Sequence, residues 1–95
     1  MKKPHVLDYP LPKLEIDAMG TKRWWVNGQL HRIDGPAVIS SAGAKYWYLN
    51  GIPHREDGPA VEWSDGVVDW YYLGKRIPVS NLKEFQSFIR NKAFW

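Results

Sequence analysis

Two short clusters in the chain carry residue types that do chemistry: His31-Arg32-Ile33-Asp34 and His54-Arg55-Glu56-Asp57. An imidazole moves protons near neutral pH, a carboxylate can orient it, and a guanidinium grips a phosphate or carboxylate with two parallel hydrogen bonds. Gathered in one pocket, His31, Arg32 and Asp34, or His54, Arg55 and Asp57, would suit a nucleotide or a phosphodiester. A metal site is not expected. The third histidine, His5, stands in the proline-rich N-terminal stretch, and no carboxylate is spaced from a histidine as a ligand pair requires. No cofactor is implied.

The setting of the clusters favours another role. NGQLHRIDGPAV (27–38) returns as NGIPHREDGPAV (50–61), a period of 23 residues. Gly20, Gly43 and Gly66 share one phase of it, as do Trp24, Trp47 and Trp70, and Gly28, Gly51 and Gly74. A catalytic set gathers unlike residues at one place. A set that recurs in step with the fold behaves as a fastener. On that view Asp34 and Asp57 accept hydrogen bonds from the turn amides that follow them. Arg32 and Arg55 pair with the aspartate or lie on an aromatic ring. His31 and His54 pack beside the tryptophans and bond to loop carbonyls. Ligand binding by these six residues stays as the alternative, and catalysis is not expected.

One repeat reads as a β-hairpin and a loop. AVIS (37–40) and AKYWYL (44–49) are β-branched and aromatic runs around a glycine-containing turn. Their equivalents are LEID and TKRWWV within 14–26, and AVEW and VVDWYYL within 60–73. Asn-Gly bends the chain after the second strand, and Asp-Gly-Pro returns it to the next hairpin. Successive hairpins should lie side by side as one antiparallel meander, each supplying the partner that its neighbour lacks.

These residues resemble the MORN repeat. Trp25-Val26-Asn27-Gly28-Gln29-Leu30-His31 with Asp34-Gly35, and Tyr48-Leu49-Asn50-Gly51-Ile52-Pro53-His54 with Asp57-Gly58, are similar to its aromatic, Asn-Gly and His pattern over roughly 14–79. The usual His-Gly is His-Arg here, and Leu73-Gly74-Lys75-Arg76-Ile77-Pro78 has lost both Asn and His, as a terminal capping repeat does. The HRxDGPA form is similar to a MORN-like subgroup found in small bacteriophage proteins. That resemblance implies an accessory protein in the host cytoplasm, one that docks on a host or viral protein and modulates or inhibits it, a defence enzyme among the candidates.

Past the repeats the period changes. Ser80 is a candidate N-cap, and Leu82, Phe85, Phe88, Ile89 and Ala93 recur at helical spacing, so a helix is expected over 80–95 with its apolar stripe on the sheet. Residues 1–13, with Pro4, Pro10 and Pro12, read as an extended arm along an edge. The expected fold is thus mainly β: one domain, 1–95, an antiparallel meander of hairpin repeats with one C-terminal α-helix packed on it.

Composition narrows the classes. The chain has 95 residues and no cysteine, which excludes disulfides and thiolate metal sites. No stretch approaches the ~18 apolar residues of a membrane span, and the opening MKKPHVLDYPLP has no apolar core of the kind a signal peptide carries. A cytoplasmic location without membrane attachment is expected. The net charge is +3, and from Lys75 onward five basic residues face Glu84 alone. Nucleic acid is therefore a candidate partner, with Arg32, Arg55 and the basic tail on phosphate, but the basic density is low for that role.

Six Trp, five Tyr and three Phe are a heavy aromatic load for this length. Alternation puts Trp24, Trp47 and Trp70 on one sheet face and Trp25, Tyr46, Tyr48 and Tyr71 on the other. A single helix covers one face at most. The second row, Trp25, Tyr46, Tyr48 and Tyr71, is the candidate protein-binding surface, for another protein or for a second copy of the chain as a homo-oligomer. The expected function is binding without chemistry.

Overall fold

A computed structural model of the chain describes residues 11–92. Most of the N-terminal arm (1–10), with His5, and the end of the expected helix (93–95), with Ala93, lie outside the described residues. Ten strands and one helix follow in order: β1 (Lys13–Ile16), β2 (Lys22–Val26), β3 (Gln29–Leu30), β4 (Val38–Ile39), β5 (Lys45–Tyr46), β6 (Tyr48–Leu49), β7 (Ile52–Pro53), β8 (Val61–Glu62), β9 (Val68–Tyr72), β10 (Lys75–Ile77) and α1 (Leu82–Asn91). The protein is mainly β, an antiparallel meander in the order β1-β2-β4-β5-β8-β9-β10 with the helix at its C-terminal end.

Two kinds of turn alternate along it. At one end of the sheet, Gly20, Gly43 and Gly66 donate to the carbonyls of Asp17, Ser40 and Trp63 at 2.9–3.0 Å, and each adopts φ between 92° and 97°. Three-residue loops of this form need a left-handed residue in last place, which is why glycine holds that phase of the repeat. At the other end, Asn27-Gly28 and Asn50-Gly51 take positive φ at both residues, the turn whose twist matches a hairpin. The short return strands β3 and β7 follow from these turns, and β10 from the equivalent Leu73-Gly74 turn; none of the three was expected as a strand.

β3 and β4 are one strand interrupted. Trp24 donates its amide to Ala37 at 2.9 Å and accepts from the amide of His31 at 3.0 Å. Residues 32–36 are therefore extruded opposite a single residue. Trp47 repeats the arrangement with Ala60 (2.8 Å) and His54 (3.1 Å). The excursion carries the His-Arg-x-Asp cluster onto one side of the sheet, here termed the clasp face. The opposite side is the open face.

In the third unit Ile77 and Pro78 stand where His and Arg stood, and α1 takes over. Its N-cap is Asn81, one residue past the expected Ser80. Asn81 Oδ1 accepts from the amide of Glu84 at 2.9 Å, while the amide of Ser80 donates to Glu84 Oε1 at 2.8 Å. The Ser80 position thus receives the returning carboxylate in place of capping the helix. Phe85, fully buried, packs on Trp70 with ring centroids 5.1 Å apart. Trp70, Tyr72, Ile77 and Phe85 form the core cluster, flanked by Val79, Phe88 and Ile89.

Leu73 occupies the Asn position of the third turn with φ 49° and is 59% exposed. A branched apolar side chain is strained there, at a cost on the order of 1 kcal/mol, whereas Asn tolerates that region. Leu73→Asn should raise the midpoint of thermal unfolding by several degrees, measured by circular dichroism. An unchanged or lower midpoint would show that the turn is not strained.

Candidate functional site

The two His-Arg-x-Asp clusters have the same geometry at two separate places. Arg32 lies over the Trp24 indole with its guanidinium carbon 3.9 Å from the ring centroid, and Arg55 lies over Trp47 at 3.8 Å. Each guanidinium also closes its own loop. Arg32 donates from Nε to Asp34 (3.2 Å) and from Nη1 to the Pro36 carbonyl (3.1 Å). Arg55 does the same with Asp57 (3.0 Å) and the Pro59 carbonyl (3.0 Å), and it reaches Glu62 at 3.2 Å. The aspartates thus receive the arginines, in place of the turn-amide bonds expected from sequence. Asp34 and Asp57 are almost fully exposed, so these pairs add little stability as charges. Their value is to aim the guanidinium plane.

The glycine of Asp-Gly-Pro has a steric reason. A Cβ at Gly35 would sit 3.1 Å from the Arg32 guanidinium carbon, and one at Gly58 would sit 2.7 Å from that of Arg55. Each arginine is held between an indole on one side and bare backbone on the other. The hydrocarbon stem covers apolar surface and the charge faces the π cloud, a contact worth ~0.5–2 kcal/mol.

The histidines link one unit to the next. His31 Nδ1 accepts the amide of Asn50 at 2.9 Å, and His54 Nδ1 accepts that of Leu73 at 2.7 Å. Both donors lie in the Asn-Gly-type turn of the following unit, where sequence had suggested bonds to loop carbonyls. With Nδ1 accepting, the His54 proton sits on Nε2, 3.2 Å from Glu56 Oε2. Arg32 and Arg55 reinforce the link by donating their amides to the carbonyls of Tyr48 (3.2 Å) and Tyr71 (3.4 Å).

A cleft of 660 Å³ opens between the two loops, lined by both arginines, Asp34, His54, Glu56 and Asp57 over a floor of Trp47 and Leu49. His31 does not line it and faces a second cleft with Val26, Ile33 and Asn50. The structure therefore brings Arg32 and Arg55 to one groove and keeps the histidines apart. The three acidic residues in that groove outnumber its two arginines. Among the described residues, no three His, Asp or Glu side chains converge so as to hold a metal ion.

On the open face, Trp25, Tyr46, Tyr48 and Tyr71 are half-buried, and among the described residues the one helix, α1, packs on the opposite face against Trp70 and Tyr72. Trp25 donates to Glu15 at 2.8 Å. Sequence reasoning missed Trp63, 43% exposed, which meets Tyr46 edge-on at 5.6 Å and donates to Asp69 at 2.9 Å. Alternation from Val61 was the available signal. The Trp63 indole N–H and Arg76 hold the Asp69 carboxyl below its ordinary value. Asp17 is lowered too, chiefly by its hydrogen bond from Arg23 (2.9 Å).

No family model, no curated protein and no solved structure matches the chain. No helix among the described residues is long and apolar enough to cross a membrane.

Gly58→Ala should cost about 1–2 kcal/mol by pushing Arg55 off Trp47, and in an Arg55→Ala background it should cost far less. Urea unfolding of the double-mutant cycle reads the difference, and additive losses would separate the glycine from the clasp. Because folding lowers both aspartate pKa values, their contribution is complete above the ordinary value of 3.8 and is lost as pH falls through the lower folded values. The Asp17→Asn/Asp69→Asn protein should therefore lose less stability than wild type on acidification below about pH 4. An equal loss in both proteins would contradict this.

Proposed function

We propose that the protein is a non-catalytic binding module whose open face docks on another protein. One observation carries this reading: among the described residues, the aromatic row Trp25, Tyr46, Tyr48 and Tyr71, extended by Trp63, stands half-exposed on the sheet face opposite α1. Aromatic side chains with few rotatable bonds lose little entropy on binding, and arginine beside them favours protein recognition. Arg23 and Arg76 flank this row, paired with Asp17 and Asp69. The clasp face supports the same conclusion from the other side. Its arginines, histidines and aspartates are engaged in holding loops, which weighs against a hydrolase or a phosphate site built from them. The MORN-like repeat pattern and the phage-type HRxDGPA variant suggest an accessory protein that modulates a host or viral protein, acting in the host cytoplasm.

The test compares wild type with Trp25→Ala, Tyr46→Ala, Tyr71→Ala and Trp63→Ala as baits in affinity capture, followed by titration with the protein recovered. At least one substitution should weaken binding by more than about 30-fold in a folded protein, as a hot spot does. Full binding by all four would refute the open face as the docking surface. Retention on an oligonucleotide that fades steeply with salt would favour the nucleic-acid alternative.

A further inference from the structure

We propose that the outer edge of β1 is a self-pairing edge, joining two copies of the chain into one continuous sheet about a twofold axis at Leu14. This goes beyond the binding role above and stands independently of what the open face recognises.

β1 and β10 are the two ends of the sheet order. All four residues of β1 are exposed, Leu14 at 46% and Ile16 at 57%. The hairpin settles which backbone groups point outward. Asp17 donates its amide to Thr21 at 3.0 Å, and β1 pairs with β2 in the register Lys13↔Trp25, Leu14↔Trp24, Glu15↔Arg23, Ile16↔Lys22. Hydrogen-bonded pairs alternate in an antiparallel ladder. Glu15↔Arg23 and Lys13↔Trp25 therefore exchange bonds within the hairpin, and Leu14↔Trp24 does not. Trp24 agrees, since both its backbone groups bond in the other direction, to Ala37 and His31. The amide and carbonyl of Leu14 and of Ile16 thus face away from β2. Among the described residues no strand pairs with them. Such an edge is a template for another strand.

Charge selects the register. Two β1 strands that pair antiparallel with the same face up must place residues of like parity opposite each other. Centring on Lys13 sets two lysines opposite. Centring on Glu15 sets two glutamates opposite, and centring on Ile16 sets Glu15 against Asp17. Centring on Leu14 alone is complementary without a like-charge pair; the Glu15-centred register also sets Lys13 against Asp17, but Asp17 is already held by Arg23 and two glutamates meet at its axis. The Leu14-centred register puts Leu14 against Leu14 of the second copy, where both exchange their outward bonds, and it puts Lys13 against Glu15 twice. The Ile16 amide then meets the Pro12 carbonyl, and Pro12, with no N–H, ends the ladder. Glu15 is already oriented by the Trp25 indole at 2.8 Å.

The competing head-to-tail arrangement would continue the repeat by laying β1 beside Val68 and Asp69, the end of β9 that β10 does not reach. By the repeat register, in which Arg23 faces Val38, it would set Glu15 against Asp69. Like charges disfavour that open-ended stacking, and a closed dimer remains. The twofold axis is perpendicular to the sheet, so the open faces of both copies point the same way. So short an edge buries less than the ~1,200 Å² of a stable interface, and the dimer is weak and reversible.

Sedimentation equilibrium of the full chain from about 10 µM to about 1 mM should show a monomer–dimer equilibrium. Lys13→Glu and Glu15→Lys should each weaken it at least tenfold, by setting like charges opposite. Mixed in equal amounts, the two variants should pair with each other as tightly as wild type with itself. Leu14→Pro removes one outward amide that the hairpin does not use, and should be a folded monomer by tryptophan fluorescence. Hydrogen exchange on the wild type needs no substitution: the Leu14 amide should slow as concentration rises. A wild type that stays monomeric, charge variants that fold and dimerise unchanged, a mixture without rescue, or a Leu14 amide indifferent to concentration would each overturn the proposal.

Discussion

A sheet with little second layer has to cover its indoles with what the chain itself can supply. That constraint organises this molecule. Trp24 and Trp47 are each covered by an arginine from the excursion that interrupts the neighbouring strand, at 3.9 and 3.8 Å. The remaining features of the loop serve that contact. Asp34 and Asp57 aim the guanidinium, the prolines' carbonyls anchor its second nitrogen, and Gly35 and Gly58 leave room behind it. A lysine could not replace the arginine here, because the plane, the fork and the stem are all used.

Each clasp is also a hinge pin between units. The histidine beside it accepts an amide from the turn of the next repeat, so a unit is completed only by its successor. A chain built this way needs a terminator. The third unit supplies one by substitution: Phe85 takes the arginine's place on Trp70, Ile77 takes the histidine's place, and both are buried. Nearest-neighbour completion of this kind is the energetic pattern of repeat proteins, in which the end unit is atypical because it faces no further copy.

Much of this was legible in the sequence, for physical reasons. The meander, the hairpin positions and the two aromatic faces follow from a period of 23 and from alternation, both of which are local. Glycines 20, 43 and 66 announced their turns because no other residue type sits easily at φ above 90°. The excursion opposite Trp24 was not legible, since five residues without periodicity do not say where they fold. The short strands β3, β7 and β10 were hidden inside what read as a loop. The site was half visible. Arginine on an aromatic ring and arginine on aspartate were both foreseen as options, and both occur together. The histidine's partner was not foreseen, because it belongs to a turn 19 residues further on. Trp63 escaped notice because its phase in the other units holds Asp17 and Ser40, which are not aromatic.

The two faces thus divide the work. Charged residues with catalytic potential are paired with one another and with the indoles to hold one face together, and the other is left as a half-exposed aromatic surface. The most direct measurement of this account is the ring-current shift of the arginine side chains in the NMR spectrum of the folded protein. The side-chain protons of Arg32 and Arg55 should move together, upfield of those of Arg23, Arg76 and Arg90, because among the described residues only the first two lie over an indole face. Shifts for Arg32 and Arg55 at the positions of unfolded arginine would contradict it.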